Sequence, residues 1–272
     1  MAGAGDVPRV ISARPRDLTH FLAWCGAAWL PRAAASRILA RRPAVERFGA
    51  DTGLAREVAG VNVVAPTTFC VAMTWEGSDK GRAWHNYTPV YARLLARRRR
   101  EALRIFELGL GTNNPALQSS MGATGRPGAS LRGWARLFPR AAVFGADIDR
   151  SILFQNERIR TFYCDQLDAG AIAALWAEPA LAEGMDLIIE DGLHTLEASR
   201  NFLDGSLRML RTGGLYVAED IATETLPAWR RLLAEVYAPG FPACAFVLAR
   251  VPNRRNRVDN NLLVVRKEGL LF

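Results

Sequence analysis

The chain has 272 residues, 50% of them hydrophobic, and a formal net charge of +8 at pH 7. This length and composition indicate a globular chain with one α/β domain and an appended N-terminal segment. The basic balance, 35 Lys and Arg against 27 Asp and Glu, leaves an anionic ligand, nucleic acid or a membrane surface to consider. Four cysteines without a CxxC pair argue against a zinc knuckle or disulfide framework, and for a reducing, cytoplasmic location.

Residues 1–74 are predicted to form an N-terminal helical cap. They are rich in Ala and Arg, with a short strand-like stretch at 61–64, and they show no catalytic spacing. The apolar run 21–30 faintly resembles a signal peptide, but it is too short to span a bilayer. Apolar spacing continues beyond Pro31, so an amphipathic helix is the preferred interpretation and secretion the lesser alternative. Aromatic residues of this run, such as Trp24, could contribute to a homo-oligomer surface, although internal packing is more usual.

The densest basic run, residues 97–100, consists of four arginines. It falls where a helix should end before a strand, and positive charge at a helix C-terminus is favourable in itself. This structural role is preferred over a nucleic-acid patch.

From residue 104 onward, strand-like apolar runs alternate with helical patterns. The strands are predicted at 104–108, 142–146, 160–163, 186–190 and 215–218. The helices are predicted at 130–138, 169–176, 196–210 and 226–237. Such alternation predicts a doubly wound, mostly parallel, Rossmann-like sheet. The last two runs, 245–251 and 261–266, predict an antiparallel hairpin, and a parallel sheet closed by such a hairpin is the outline of a class I methyltransferase. Residues 75–272 are predicted to form this domain.

A glycine-rich turn follows the first strand of the predicted sheet. Glu107, Gly109 and Gly111 belong to it, and the glycines let the backbone approach a ligand closely. A nicotinamide-binding fingerprint would continue directly into a helix with a third glycine, whereas a long loop, 113–129, intervenes here. This departure argues against a dehydrogenase.

Acidic residues also follow the next two strands. Asp147 and, as the second candidate, Asp149 come after one strand, where a carboxylate can accept hydrogen bonds from ribose hydroxyls. Asp165 and Gln166 come after the other and could face an adenine ring. Each of these acidic residues could instead cap a helix, but their occurrence at successive strand ends favours a nucleoside site.

Two further strand ends carry the strongest chemical pattern. Asp191 and His194 follow one apolar run, and Glu219 and Asp220 follow the other. Like charges repel unless a cation or a shared proton intervenes, and a hard ion such as Mg2+ prefers oxygen ligands. The sequence therefore predicts a metal-assisted proton-abstraction site at one edge of the sheet.

The chemistry of His194 is open to three interpretations. At the start of a helix, the dipole should lower its pKa and keep the imidazole neutral, so a general base is ranked first. A metal ligand comes second and a capping residue third. A non-haem iron site would need His85 as a second histidine, in a loop before a helix, and is the lesser alternative.

Four segments together resemble the metal-dependent sugar O-methyltransferases of macrolide antibiotic pathways, of the mycinamicin 2''-O-methyltransferase type. They are residues 77–81 with 85–89, the glycine turn with residues 127–132, residues 145–149, and the two acidic strand ends. The resemblance extends from about residue 77 to the end of the chain. It implies S-adenosyl-L-methionine as cofactor, a divalent ion such as Mg2+, and a sugar or glycoside as small-molecule acceptor.

The resemblance also implies residue roles. Asp191, Glu219 and Asp220 would bind Mg2+, and His194 would be the general base. The residues that would contact S-adenosylmethionine are Glu107, Gly109, Asp147 and Asp165.

The loop 112–129, Leu193 and Ile221 depart from the pattern beside the acceptor pocket, so the acceptor itself does not carry over. Two alternatives remain. One is an RNA methyltransferase, which the arginines of the loop 254–257 would favour. The other is a non-catalytic nucleoside-binding protein.

Overall fold

The computed structural model of the chain describes residues 41–81 and 84–269. The apolar run 21–30 and its tryptophans therefore lie outside the described residues. Within the described ranges, no helix has both the length and the apolar character needed to cross a membrane.

One mixed sheet organises the described residues. The strands are β1 (Ala44–Gly49), β2 (Arg104–Leu108), β3 (Ala142–Asp147), β4 (Ile159–Tyr163), β5 (Met185–Glu190), β6 (Leu210–Ala218), β7 (Cys244–Arg250) and β8 (Asn261–Lys267). Their order across the sheet is β1-β7-β8-β6-β5-β2-β3-β4. The five strands from β6 to β4 are parallel, whereas β8, β7 and β1 pair antiparallel. The predicted doubly wound, mostly parallel sheet with a C-terminal hairpin is confirmed.

Helices cover both faces of this sheet. They are α1 (Leu54–Ala59), α2 (Thr68–Glu76), α3 (Thr88–Leu95), α4 (Ala129–Leu137), α5 (Ala169–Trp176), α6 (Leu196–Ser206), α7 (Leu226–Leu232) and α8 (Ala238–Gly240). Helices α1 to α4 pack in one apolar cluster and α5 to α7 in the other. All six residues of β5 are buried, as expected for a parallel strand covered on both faces.

The N-terminal part differs from the sequence prediction. Residues 61–64 are not a strand, and the edge of β7 is paired with β1 at Ala44–Gly49 instead.

Two element boundaries also differ from the prediction. Strand β6 begins at Leu210, five residues before the predicted start, and α6 ends at Ser206. These differences lie outside the edge of the sheet that carries the candidate residues.

The carboxyl ends of β2, β5 and β6 lie at the same level in the sheet. Leu108 at the end of β2 pairs with Glu190 at the end of β5, and Glu190 pairs with Ala218 at the end of β6. Residues that follow these strands therefore meet at one edge, where ligands bind in open α/β sheets.

Candidate active site

The turns after β5 and β6 hold unusual backbone conformations. His194 and Asp220 have φ angles of 60° and 53°, and they are the non-glycine residues with positive φ in the described ranges. This region is sparsely populated by residues other than glycine, and such strain concentrates at functional sites. The strained backbone therefore marks both turns as candidate functional sites.

The predicted acidic residues and the histidine meet at these turns. Side-chain ligand atoms of Asp191, His194 and Asp220 all lie within 4.8 Å of one another. The Nε2 atom of His194 is 3.3 Å from Oδ1 of Asp191 and 3.8 Å from Oδ2 of Asp220. Glu219 is fully buried, and its two carboxylate oxygens accept hydrogen bonds from Lys80 and Tyr91.

A lysine that received no role from the sequence lies at the centre of the site. The Nζ atom of Lys80 donates to Oδ2 of Asp191 and, at 2.6 Å, to Oε2 of Glu219. It is also 3.3 Å from Oε1 of Glu107, the next-to-last residue of β2. Burial disfavours the charged ammonium, but these carboxylates outweigh it and raise the pKa of Lys80 well above its ordinary value.

The segment between α2 and α3, together with α3 itself, supplies further donors from the same side. The hydroxyl of Tyr87 donates to Oδ1 of Asp220 at 2.6 Å, and that of Tyr91 donates to Oε1 of Glu219. The Nδ1 atom of His85 is 3.1 Å from Oδ1 of Asp220. Lys80 and Tyr87 belong to a segment that carries the sequence resemblance, but the sequence predicted no role for them or for Tyr91.

The charges at the site shift several pKa values. Burial raises the pKa of Asp220 to about 6, although the charges of His85 and His194 oppose the shift. Burial also raises the pKa of Glu219 well above its ordinary value, against the opposing charge of Lys80. For Asp191 burial is outweighed by Lys80 and His194, so its pKa is lowered.

The expected lowering of the His194 pKa is wrong for this arrangement. Burial does disfavour the imidazolium, but the hydrogen bond to Asp191 and the charge of Asp220 prevail and raise the pKa to about 10. His194 precedes Thr195, the N-cap of α6, and two carboxylates face its ring directly.

These residues fit a divalent cation. Three carboxylates crowd around the Lys80 ammonium, and the carboxylates of Asp191 and Asp220 raise the pKa of His194. Carboxylate oxygens are the ligands that Mg2+ prefers. Each Glu219 oxygen accepts one side-chain hydrogen bond, so a second lone pair remains on each for a cation.

The glycine turn after β2 lies against the turn after β5. Gly109 has a φ angle of 90°, and a Cβ atom there would come 1.8 Å from the carbonyl oxygen of Asp191. Gly111 also has positive φ, at 74°. The sequence pattern thus marks a close backbone approach, here between the two halves of the sheet edge.

The acidic residues after β3 bind backbone and hydroxyl groups near them in the chain. Asp147 accepts from the amides of Leu110 at 2.7 Å and Asp149 at 2.9 Å. Asp149 accepts from Thr112 and from the amide of Ser151, where it caps a short helical turn. These carboxylates order the turns after β2 and β3, and their contact with a ribose stays a prediction.

The remaining predicted cofactor residues have different surroundings. Glu107 is fully buried and accepts from Ser130 and Trp134, each at 2.6 Å. Gln166 donates to Glu190 at 2.7 Å and accepts from the amide of Leu193 at 2.9 Å, so it joins the turns after β4 and β5. Asp165 is half-buried and accepts from the amide of Leu167.

Exposed apolar side chains lie in sequence beside these acidic residues. Ile148 is 41% exposed between Asp147 and Asp149, and Leu167 is 48% exposed two residues after Asp165. Ligand sites combine such apolar surface with a few polar groups. The arrangement therefore suits a nucleoside, with hydroxyls on one part and a flat apolar base on the other.

Comparisons with known structures define the class of this fold. No protein-family model matches the chain. The MycE methyltransferase from the mycinamycin biosynthetic pathway, in complex with Mg and SAH, superimposes with a TM-score of 0.54 at 25% identity. The match covers 75% of this chain and 55% of that one. The described residues thus have the class I methyltransferase fold, as predicted.

Curated relatives narrow the resemblance further. The chain is 33% identical over 192 residues to 8-demethyl-8-alpha-L-rhamnosyl tetracenomycin-C 2'-O-methyltransferase of Streptomyces olivaceus, covering 69% of this chain and 44% of that protein. It is 33% identical over 146 residues to mycinamicin VI 2''-O-methyltransferase of Micromonospora griseorubida, covering 53% and 34%. The predicted resemblance to sugar O-methyltransferases is confirmed. The chain spans less than half the length of the curated relatives it matches.

Proposed function

We propose that the protein transfers the methyl group of S-adenosyl-L-methionine to a hydroxyl of a sugar or glycosylated natural product, in a Mg2+-dependent reaction. The observation that carries the proposal is the group formed by Asp191, His194 and Asp220 at the ends of β5 and β6. This group lies beside the glycine turn after β2, so a cofactor and an acceptor hydroxyl could meet there. The names of the relatives support a glycoside as acceptor.

Three carboxylates would hold the ion: Asp191, Glu219 and Asp220. When bound, Mg2+ supplies a Lewis acid and a template for the acceptor hydroxyl and its neighbour. In the transfer, the bond between sulfur and the methyl carbon breaks as the bond between that carbon and the hydroxyl oxygen forms. The hydroxyl proton passes to His194, whose Nε2 faces both aspartates.

The proton affinity of His194 depends on those same aspartates. In the described arrangement they favour the imidazolium, which cannot accept a further proton. A cation held by the two carboxylates would weaken their stabilisation of the imidazolium, which would leave Nε2 unprotonated and able to act as base. Metal ligation and general-base action are therefore linked through Asp191 and Asp220.

The cofactor would lie along the ends of β2 to β4. Gly109 and Gly111 allow close approach of the backbone, and Asp147 and Asp149 would face the ribose. Asp165 and Gln166 would face the adenine, and the buried Glu107 would order the glycine turn that follows β2. All these residues lie within 75–272, the proposed methyltransferase domain, and residues 41–74 ahead of it add β1 to its sheet.

The proposal also covers the binding partners and the cellular location. The acceptor is a small molecule, and a homo-oligomer stays a prediction. A cytoplasmic location is supported by the cysteines of the described ranges, Cys70, Cys164 and Cys244, which are buried and free.

Methyl transfer itself tests the proposal. The protein would be incubated with methyl-labelled S-adenosylmethionine and glycosides carrying rhamnosyl, olivosyl or macrolide-linked sugars, with Mg2+ or with a chelator. We expect label in a glycoside only when Mg2+ is present. Transfer that persists in chelator would refute metal dependence, and transfer to RNA but to no glycoside would establish the RNA methyltransferase instead.

A further inference from the structure

Lys80 joins three strand ends through one ammonium group. Its side chain is 1% exposed, and its Nζ atom contacts three carboxylates: one from the next-to-last residue of β2 and two from residues that directly follow β5 and β6. An ammonium has three N–H donors and no acceptor, so three carboxylates match its hydrogen-bonding capacity. A charge buried this completely is retained only when it is paired, and here every observed partner is acidic.

The sequence sets this lysine apart. Of the 35 basic residues in the chain, two are lysines, Lys80 and Lys267, and the others are arginines. A lysine suits this position because its ammonium is a compact charge, whereas a guanidinium is a wide planar fork. Three carboxylates converging on one point leave room for the compact group.

The backbone around Lys80 holds it in place. Its carbonyl oxygen accepts from the amides of Tyr87 at 3.1 Å and Thr88 at 3.2 Å, at the start of α3. Its own amide donates to the hydroxyl of Ser78 at 3.3 Å. The ammonium is thus delivered from a loop that is tied to the same helix as Tyr91, the other donor to Glu219.

Asp191 and Glu219 each have one carboxylate oxygen that binds Lys80, here called the inner oxygen, and one that faces another side chain. Lys80 binds Oδ2 of Asp191, and Oδ1 of that residue faces His194. Lys80 binds Oε2 of Glu219, and Tyr91 binds Oε1. Without Lys80, one oxygen of each carboxylate would lose the partner that fixes its orientation.

We propose that Lys80 is a positioning residue that fixes the inner oxygens of Asp191 and Glu219, so that these carboxylates are aimed at the divalent cation. This inference rests on the proposed metal-dependent function. Residues that orient metal ligands in this way typically change metal affinity about 10- to 100-fold when they are replaced.

Calorimetric titration with Mg2+ tests the inference in three proteins: the wild type, Lys80→Met and Lys267→Met. Methionine keeps the length of the side chain without its charge. Lys267 is the matched control because its Nζ donates to the carbonyl of Leu210, away from the site. We expect Lys80→Met to bind Mg2+ about 10- to 100-fold more weakly and Lys267→Met to bind normally.

A folded Lys80→Met variant with wild-type affinity for Mg2+ would overturn the inference and leave the proposed function standing. A wild-type protein that binds no Mg2+ would refute the metal-dependent function, and the inference with it. Circular dichroism in chelator shows whether each variant is folded before the affinities are compared.

Nuclear magnetic resonance of the wild type keeps the test open if Lys80→Met does not fold. Because the chain has two lysines, labelling lysine with nitrogen-15 gives two side-chain ammonium groups, which Lys267→Arg assigns. We expect the Lys80 ammonium to be protected from solvent exchange and its resonance to shift on addition of Mg2+. A resonance that stays unchanged at saturating Mg2+ would contradict the inference.

Discussion

The two halves of the candidate site are held together in different ways. At the β5–β6 end (residues 190–194 and 219–220), the carboxylates bind side chains that are 111 to 139 residues away in the chain. At the β2–β4 end (residues 109–112, 147–149 and 165–166), Asp149 and Asp165 each bind a group two residues away, and Asp147 and Asp149 also each bind the turn after β2, 37 residues before them. One end depends on distant packing, and the other consists largely of local turns.

This difference separates the expected consequences of mutation. Replacing a residue at the β5–β6 end should disturb buried charges whose partners cannot be supplied by water, and so affect metal binding and turnover. Replacing one at the β2–β4 end should loosen a turn and so affect the cofactor. We therefore expect that mutation can disturb the two ends separately.

The largest effect is expected from Asp191→Asn. The amide keeps the shape of the side chain but loses the negative charge that faces both Lys80 and His194. Methyl transfer should fall by more than the roughly 100-fold that loss of an outer-shell partner costs. The matched control is Asp186→Asn, a buried aspartate of β5 that pairs with Arg98 and Arg211. A control that lost activity equally would show a general folding effect.

His194→Ala should lower turnover by about 100-fold or more while S-adenosylmethionine still binds. Single-turnover kinetics and Mg2+ titration of the variant separate the two leading roles of the histidine. Retained Mg2+ affinity with lost turnover indicates a base, and lost Mg2+ affinity indicates a ligand. Full turnover would remove His194 from the mechanism.

Tyr91→Phe removes one hydrogen bond to Glu219 and leaves Lys80 in place. Because a hydrogen bond to a charged group contributes about 1.5–3 kcal/mol, the variant should lose stability and about tenfold in Mg2+ affinity. Chemical denaturation and calorimetry measure the two effects. Tyr237→Phe, which removes a hydrogen bond to Asp204 on α6, is the control and should cost stability alone.

Asp147→Asn should weaken S-adenosylmethionine without changing Mg2+ affinity. Asparagine has one acceptor oxygen, so the amide of either Leu110 or Asp149 loses its partner and the turn is less ordered. A loss of about 1 kcal/mol corresponds to several-fold weaker cofactor binding. An equal loss of Mg2+ affinity in calorimetry would show that the two ends are not separable.

The smallest effect is a dependence of stability on pH. The pKa of His194 in the folded protein, about 10, lies above its ordinary value of 6.5. Its contribution to stability is therefore fully present below pH 6.5 and is lost as the pH rises towards 10. In chelator, the difference in thermal midpoint between the wild type and His194→Gln should shrink over that interval. A difference independent of pH would contradict the raised pKa.

The sequence was sufficient for seven of the eight strands described. Apolar runs followed by acidic residues predicted that Asp191, His194 and Asp220 meet, because the carboxyl ends of parallel strands lie at one edge of a sheet. The edge strand β1 was missed because its pairing with β7 joins residues about 200 positions apart. Lys80 was missed for the same reason, although its rarity in an arginine-rich chain was a usable signal.

Calorimetric titration of the wild type and Asp191→Asn, with S-adenosylmethionine and Mg2+ separately, tests the division of the site most directly. We predict that both ligands bind the wild type, and that the variant keeps the cofactor and loses the metal. A variant that binds Mg2+ as the wild type does, or a wild type that binds no cofactor, would contradict the account.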